Sequence, residues 1–352
     1  MNNSTRAALI TAVIPTYRRS GLLKRAVGSV LSQNVPEVRI HVCDNASGDD
    51  TAAVVAALRD HDPRVQYFAQ DHNIGAIPNF NFGMRTVTSP FFSLLSDDDL
   101  LLPGCYETAL DAFARHPEAM FVTTRVVVMD ADARVLSVGG SAWAAGVYRP
   151  PQGLVAMCRN GHPTWTGVLF RREVLDTIGF LNTEAELAAD VDFELRIAAR
   201  HPFVIAPAIG ACFCAHAGSS LESKSAADMW RAYRWLIDAV TAFKGIDDEA
   251  KQQACDGLTR QFRVSARRYG LSAIAFRRAS EAVAAGRLLE RIGDPAASGL
   301  RWLARLGSVP PAAAALRLLI AAKRRAPGES VHREIQADCK AWLQRLEASV
   351  HT

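Results

Sequence analysis

At 352 residues, with 49% hydrophobic and 22% charged residues, the chain has ample core material for an ordinary folded protein of one large domain or two smaller ones. No run of 18 or more apolar residues occurs, so a spanning helix is not expected. Seven cysteines without metal-like spacing argue for a reducing compartment. Charge divides unevenly: residues 221–352 hold 22 Lys/Arg against 14 Asp/Glu, a balance of +8, leaving 18 against 22, or −4, in residues 1–220. Two regions with different work are expected, 1–220 and 221–352. The segment Met1 to Arg6 leads straight into a short apolar stretch without the long apolar run of a secretory leader, so the expected location is the cytoplasm.

In chain order, residues 9–14 predict an apolar strand stopped by Pro15, with Thr16, Tyr17, Arg18 and Arg19 turning after it. Leu22, Leu23, Ala26, Val27, Val30 and Leu31 then recur at helical spacing. A second strand is expected over 38–43, followed by the polar cluster Asp44 to Asp50 and a helix over 51–58. A third strand over 65–68 precedes Asn73-Ile74-Gly75 and a helix near 79–87; a fourth, over 91–95, ends in Ser96-Asp97-Asp98-Asp99. This alternation predicts a parallel α/β sheet, in which ligands bind outside the carboxyl ends of the strands. Pro15-Thr16-Tyr17, Asp44-Asn45 and the acidic run all fall there.

Adjacent carboxylates repel, and burying one unpaired costs several kcal/mol. A divalent cation carrying a phosphorylated ligand is the economical explanation of the acidic run; a solvated acidic turn is the alternative. No Gly-x-Gly-x-x-Gly, phosphate-binding Gly-x-x-x-x-Gly-Lys or Gly-x-Ser-x-Gly pattern appears, which counts against dinucleotide oxidoreductases, P-loop nucleotidases and α/β-hydrolases. Further on, a helix is expected over 190–200 and a strand over 203–213. Cys212 and Cys214 would share one face of that strand as a buried pair.

From about residue 222 the pattern is helical: an apolar stripe over 229–240, another helix around 258–264, then 271–292, 300–306, 312–325 and 331–348, punctuated by Gly270, Pro295, Pro310, Pro311 and Pro327. Leu316 to Ile320 followed by Lys323, Arg324 and Arg325 fits either a bundle helix with a solvated face or a basic helix docked peripherally on the inner face of a membrane. No nucleic-acid partner is expected, because no recognised motif accompanies the charge.

Val13 to Arg19, Asp44 to Thr51, Asn73-Ile74-Gly75 and the acidic run, in this order and spacing, resemble the family 2 glycosyltransferases. So do Thr166 to Leu175, Ile178 to Phe180 and Ala189 to Arg196. The resemblance covers roughly residues 8–220. It implies a GT-A fold, Rossmann-like with a mostly parallel sheet, a nucleotide-sugar donor, Mn²⁺ or Mg²⁺, and inversion at the anomeric carbon. By that resemblance Asp98 is the metal ligand, Asp97 lies near the ribose or metal, and Asp99 supports the loop or the sugar. Asp44 contacts the base beside Pro15, Thr16 and Tyr17, and Asn73 and Gly75 bring backbone close to the donor. Asp190 is the general base, with Asp192 and Glu194 as fallbacks because Ala189 replaces the family's usual Glu. His216 is an added metal ligand, and Trp165 and Thr166 wall the acceptor or sugar. Ser96 stands where the family often has a carboxylate, and Phe80 where a basic residue is common. Each residue keeps a structural alternative: an Asx-turn for Asp44, a plain turn for Asn73 and Gly75, a helix cap for Asp190, a structural role for His216, core packing for Trp165. The implied partners are a UDP-sugar first, with dTDP and GDP open, and a glycan or lipid-linked acceptor. Two other functions remain open: a sugar-1-phosphate nucleotidyltransferase and a catalytically silent nucleotide-sugar or glycan-binding protein.

Overall fold

In the computed structural model, which describes residues 7–130, 132–139, 142–215, 225–306 and 329–351, strands and helices alternate at the start of the chain. They are β1 (Ile10–Thr16), α1 (Ser20–Leu31), β2 (Val38–Asp44), α2 (Thr51–His61), β3 (Val65–Ala69), α3 (Ala76–Arg85) and β4 (Phe91–Leu94). β1 is buried along its whole length, as befits a strand covered on both faces. Strand alternation sorts its side chains. Ile10, Ala12 and Ile14 join the core that holds Leu23, Ala26 and Val27 of α1. Val13 joins the opposite core with Met84 of α3 and Phe92. Gly83 allows that close approach of α3, since a Cβ there would sit 2.3 Å from Val13 Cγ1.

The strand expected to stop at Pro15 runs through it to Thr16. Val13 O accepts from Leu95 N on the β4 side, so Pro15, two residues on, presents its N–H-less nitrogen to the same side. β4 pairs with β1 only over Ile10 to Val13, so no ladder bond is forfeited there.

The next elements are β5 (Leu100–Leu101), α4 (Cys105–Arg115), β6 (Phe121–Met129), β7 (Val135–Val138), β8 (Gly146–Tyr148), α5 (Gln152–Asn160), β9 (Val168–Arg171), α6 (Glu173–Thr177), α7 (Ala189–Ala198) and β10 (Phe203–Cys214). The strands form one sheet in the order β3-β2-β1-β4-β9-β6-β10-β5, with β7 on β6 and β8 on β10. The first four are parallel, as the sequence predicts. The other half is mixed: β9 runs antiparallel to β4 and β6, whereas β6 and β10 are parallel. After β4 the chain enters the acidic turn and two-residue β5 rather than a crossover helix, so it does not return as a parallel neighbour. Cys212 and Cys214 lie with their sulfurs 3.8 Å apart and unoxidised.

The helical region comprises α8 (Ala226–Ala242), α9 (Asp248–Ala275), α10 (Ala279–Arg291), α11 (Ala297–Leu306) and α12 (Glu329–His351). A reciprocal Ser225–Asp228 capping box starts α8. Gly270, expected as a break, lies inside α9: Leu300 packs onto it so closely that a Cβ would meet Leu300 Cδ2 at 2.4 Å. The expected 271–292 helix is instead divided after Ala275, where Arg277 takes a left-handed φ of 61°. Leu236, Val240, Ala254 and Leu258 share a core with Phe193 and Phe203, and Gly257 abuts α5, with a Cβ position 2.6 Å from Cys158 O. On the other side Trp342, Leu343 and Leu346 of α12 pack with Leu100, Val127 and Met129. The 312–325 segment with its basic stretch lies outside the described residues. Among the described residues no helix is long and apolar enough to cross a membrane.

Candidate active site

The loops after β1, β2, β3 and β4 are stitched together at the carboxyl edge of the parallel half. Thr16 Oγ1 donates to Asp97 Oδ2 at 2.7 Å. Arg19 donates from one guanidinium nitrogen to Asp97 Oδ1 at 3.2 Å and Asp98 Oδ2 at 2.8 Å. Arg18, left-handed at φ 54°, gives its backbone N–H to Ser47 Oγ and its Nε to Ser47 O. Asn45 donates to Asn73 Oδ1 at 3.0 Å and accepts from Ile74 N at 2.8 Å. The three clusters of the sequence reading are therefore neighbours in space, as is the Asn73 turn.

Electrostatics mark the acidic turn, which Asp99 N closes onto Ser96 O at 3.1 Å. Burial pushes the Asp97 carboxyl above the usual carboxylate range against the pull of Thr16 and Arg19, and the charge of Asp98 pushes the same way. Asp99 is raised to about 7, by burial first and then by Asp98. Its oxygens are taken by Thr166 Oγ1, donating at 2.5 Å, and Cys214 N, at 2.9 Å. Asp99 thus braces the acidic turn against the Trp165–Gly167 turn and the end of β10.

Asp44 adopts the Asx-turn geometry. Its Oδ1 accepts from Ser47 N at 3.0 Å and Ser47 Oγ at 2.5 Å, and its Oδ2 from Tyr67 at 2.6 Å. A carboxylate accepts about four hydrogen bonds, so one acceptor position remains for a ligand. Pro15 is buried in β1, while Tyr17 is exposed at the rim with Arg18 5.1 Å from its ring centroid. Gly75 has φ 90°, a conformation that favours glycine, and its N–H donates to Asn73 Oδ1. Thr166 is buried. Trp165 is wedged against Phe80, Phe170 and Phe193, and its buried indole N–H has no hydrogen-bond partner among the described residues, uncommon for a group that normally finds one.

Asp190 is the second residue of α7, half-buried, while Ala188 holds the cap position. The three acids of this helix differ. Asp192 is committed to structure: it accepts from Arg196 at 2.8 Å and Trp235 at 3.3 Å, and Arg196 also holds Ile178 O and Phe180 O. Glu194 is wholly buried, its Oε2 3.4 Å from His162 Nδ1. Burial raises Glu194 to about 7, opposed by His162. His162 is raised to about 9 because Glu194 and Asp190 outweigh the effect of its burial. Asp190 accepts from Val191 N at 2.8 Å through Oδ1, with the His162–Glu194 pair beside it.

Arg19 and His162 are site residues that the sequence reading missed. Arg19 had a signal, a second arginine directly after a strand whose edge collects acids. His162 had none, since its partner lies 32 positions on. The acidic turn fits a hard cation: two carboxylates share one arginine nitrogen, while burial and the neighbouring Asp98 charge act against the ionisation of Asp97. Among the described residues no group of three or more His, Cys, Asp and Glu is clustered for a metal. His216 lies outside the described residues.

A parallel βα half with an acidic turn at its carboxyl edge, continued into a mixed half, is the GT-A glycosyltransferase architecture. Residues 11–179 match the model of glycosyl transferase family 2, and this part of the chain belongs to that family. Among curated relatives, a GalNAc(5)-diNAcBac-PP-undecaprenol beta-1,3-glucosyltransferase of Campylobacter jejuni is 35% identical over 102 residues, 29% of this chain and 33% of that protein. Chondroitin synthase of Escherichia coli is 29% identical over 134 residues, 38% of this chain and 19% of the synthase. The chain therefore spans a third or less of these two relatives. The S. aureus TarS 1–349 structure in complex with UDP-GlcNAc superposes with a TM-score of 0.60 at 14% identity, covering 85% of this chain and 88% of that one. The mannosyltransferase PcManGT of Pyrobaculum calidifontis, in complex with GDP-Man and Mn²⁺, gives 0.52 at 15% identity, covering 98% and 88%. At such identities these structures establish the shared fold alone.

Proposed function

We propose that the protein is an inverting glycosyltransferase that moves a sugar from a nucleoside-diphosphate donor, UDP-linked first, to an acceptor hydroxyl in bacterial-type polysaccharide or glycoconjugate assembly. The observation that carries this reading is the joining of Thr16, Arg19, Asp97 and Asp98 by hydrogen bonds across 78 or more positions of sequence. The nucleotide base would lie by Asp44 and Tyr17, the diphosphate by Arg19 and the acidic turn. Asp98 and Asp97 would hold a divalent cation, Mn²⁺ or Mg²⁺, with His216 as a further ligand. When bound, that ion supplies charge neutralisation for the departing diphosphate.

The acceptor hydroxyl attacks the anomeric carbon from the face opposite the diphosphate, and the bond from that carbon to the phosphate oxygen breaks. Asp190 takes the hydroxyl proton, within hydrogen-bond reach of the attacking oxygen. Trp165 and Thr166 wall the sugar. Residues 1–220 carry this chemistry, and residues 221–352 form an appendage that shapes the acceptor side or rests on a membrane surface. The C. jejuni relative's undecaprenol-linked substrate and the UDP-GlcNAc held by TarS support a lipid-linked or glycan acceptor and a UDP donor.

A panel of nucleotide sugars, screened for thermal stabilisation in Mn²⁺ and then for release of nucleoside diphosphate, tests the reading. Binding with turnover in the wild type and binding without turnover in Asp190→Asn are expected. Stabilisation by none of the donors would overturn it, and binding with no release by any protein form would favour a silent binding protein.

A further inference from the structure

A cavity of about 200 Å³ lies beside this centre, lined among others by Thr123, Thr124 and Arg125 of β6, Asn160 at the end of α5, and His162 and Thr164 in the loop that follows. It is far larger than one water molecule needs, and among the described residues its lining contains no Asp or Glu. Arg125 is half-buried, its Nε is fully buried without a hydrogen-bond partner, and its guanidinium has no ion pair among the described residues. A buried donor left unmatched is costly, and more so on a cation. Two other buried arginine Nε atoms lack a hydrogen bond, but each has a carboxylate close by, Arg25 Nε 3.9 Å from Glu347 and Arg263 Nε 3.7 Å from Asp294, while Arg19 has Asp97 and Asp98, and Arg196 has Asp192 with two carbonyls. The second basic group on the wall, His162, already has Glu194 as its counter-charge, so the charge left over is that of Arg125.

The position of the cavity assigns it to the acceptor side. Thr164 is two residues from Thr166, which bonds Asp99, and Thr124 Oγ1 donates to Gly167 O at 3.2 Å in the same turn. His162 reaches the helix that carries Asp190. A group held here would sit between the brace of the acidic turn and the base.

We propose that this cavity is an oxyanion subsite, in which Arg125 seats a phosphate or carboxylate group of the acceptor and His162 provides a second cationic wall. The anion site stands on its own geometry; only the identity of its carrier as the sugar acceptor rests on the function proposed above.

The test uses the full chain saturated with UDP, so that added anions cannot report on the donor cleft. Inorganic phosphate and glucuronate are titrated at constant ionic strength, followed by calorimetry and thermal shift, with sodium chloride as the control. At least one of the two anions should bind and raise the melting temperature. Arg125→Met should weaken that binding by about tenfold or more and Arg125→Lys by less, with UDP affinity unchanged in both. Phosphate alone identifies a phosphate-bearing acceptor, glucuronate alone a sugar acid, and both a general oxyanion seat. The proposal is overturned if neither anion acts beyond chloride, or if wild type and Arg125→Met respond alike. If Arg125→Met does not fold, the same comparison is made with Arg125→Lys and His162→Gln. If UDP itself fails to bind, the donor reading falls while the anion titration is still decided on its own readout.

Discussion

Replacing Glu194 by Gln removes the buried partner of His162 with little change of shape. In the wild type the folded-state pKa of His162 rises from 6.5 to about 9. Its stabilising contribution is therefore fully present below pH 6.5 and is lost as pH climbs through about 9. Glu194, raised from 4.5 to about 7, also binds its proton more tightly in the folded state, so its contribution is present below 4.5 and gone above about 7. Between pH 7 and 9.5 the imidazole dominates the titration of this pair, Glu194 giving up only the half proton it still holds at pH 7. A shift of that size is worth ~3 kcal/mol in a fully buried group, but the His162 side chain is 34% exposed, and solvent screening cuts it to ~1–2 kcal/mol. In Glu194→Gln the burial of the ring prevails, with Asp190 the remaining carboxylate acting on it. Urea unfolding of both proteins at pH 7 and 9.5 isolates the difference, because every other group titrates alike in the two. The wild type should lose ~1–2 kcal/mol more than the variant over this interval. Parallel losses would refute the assignment of a charged His162 held by Glu194.

Asp98→Ala should abolish the Mn²⁺ dependence of donor binding, read by calorimetry with and without the ion; an unchanged metal requirement moves the ligand elsewhere. Asp190→Asn should lower turnover by ~10²–10⁴-fold at nearly unchanged donor affinity, and normal turnover would pass the base role to another group. Gly257→Ala places a methyl against the Cys158 carbonyl and should cost ~1–3 kcal/mol in chemical unfolding. A neutral result would mean that α9 and α5 are not closely packed.

The parallel half of the sheet was legible because its strands are covered on both faces and read as short apolar runs between turn residues. β1 and β2 keep their buried positions almost without interruption. The turns were legible too: Asp44 to Ser47 spells an Asx-turn, which the chain makes, and Gly75 stands where φ is positive. The mixed half was not legible, since the neighbours of β9 depend on the missing crossover after β4 and not on the composition of β9. Gly270 was misread for a related reason. Alone, a glycine in a helix marks a weak point, but here the crowding of Leu300 selects it, and Leu300 is 30 residues away. Arg125 and His162 escaped notice because one interrupts an apolar strand and the other follows a glycine in a loop. Packing of α5 on α7 and the course of β6 give them meaning.

The acidic turn does more than gather carboxylates. Its first two carboxylates face Arg19 and Thr16, in the parallel half, whereas Asp99 is spent on Thr166 and the backbone of Cys214, in the mixed half. One short turn therefore ties the parallel half to the mixed half through three consecutive residues. Thr166 begins at that tie and leads, through Gly167, to the Thr124 hydroxyl on β6, next to Arg125. The ionisation of Asp99 answers to Asp98, so the carboxylate that holds the mixed half senses the charge of its neighbour in the turn.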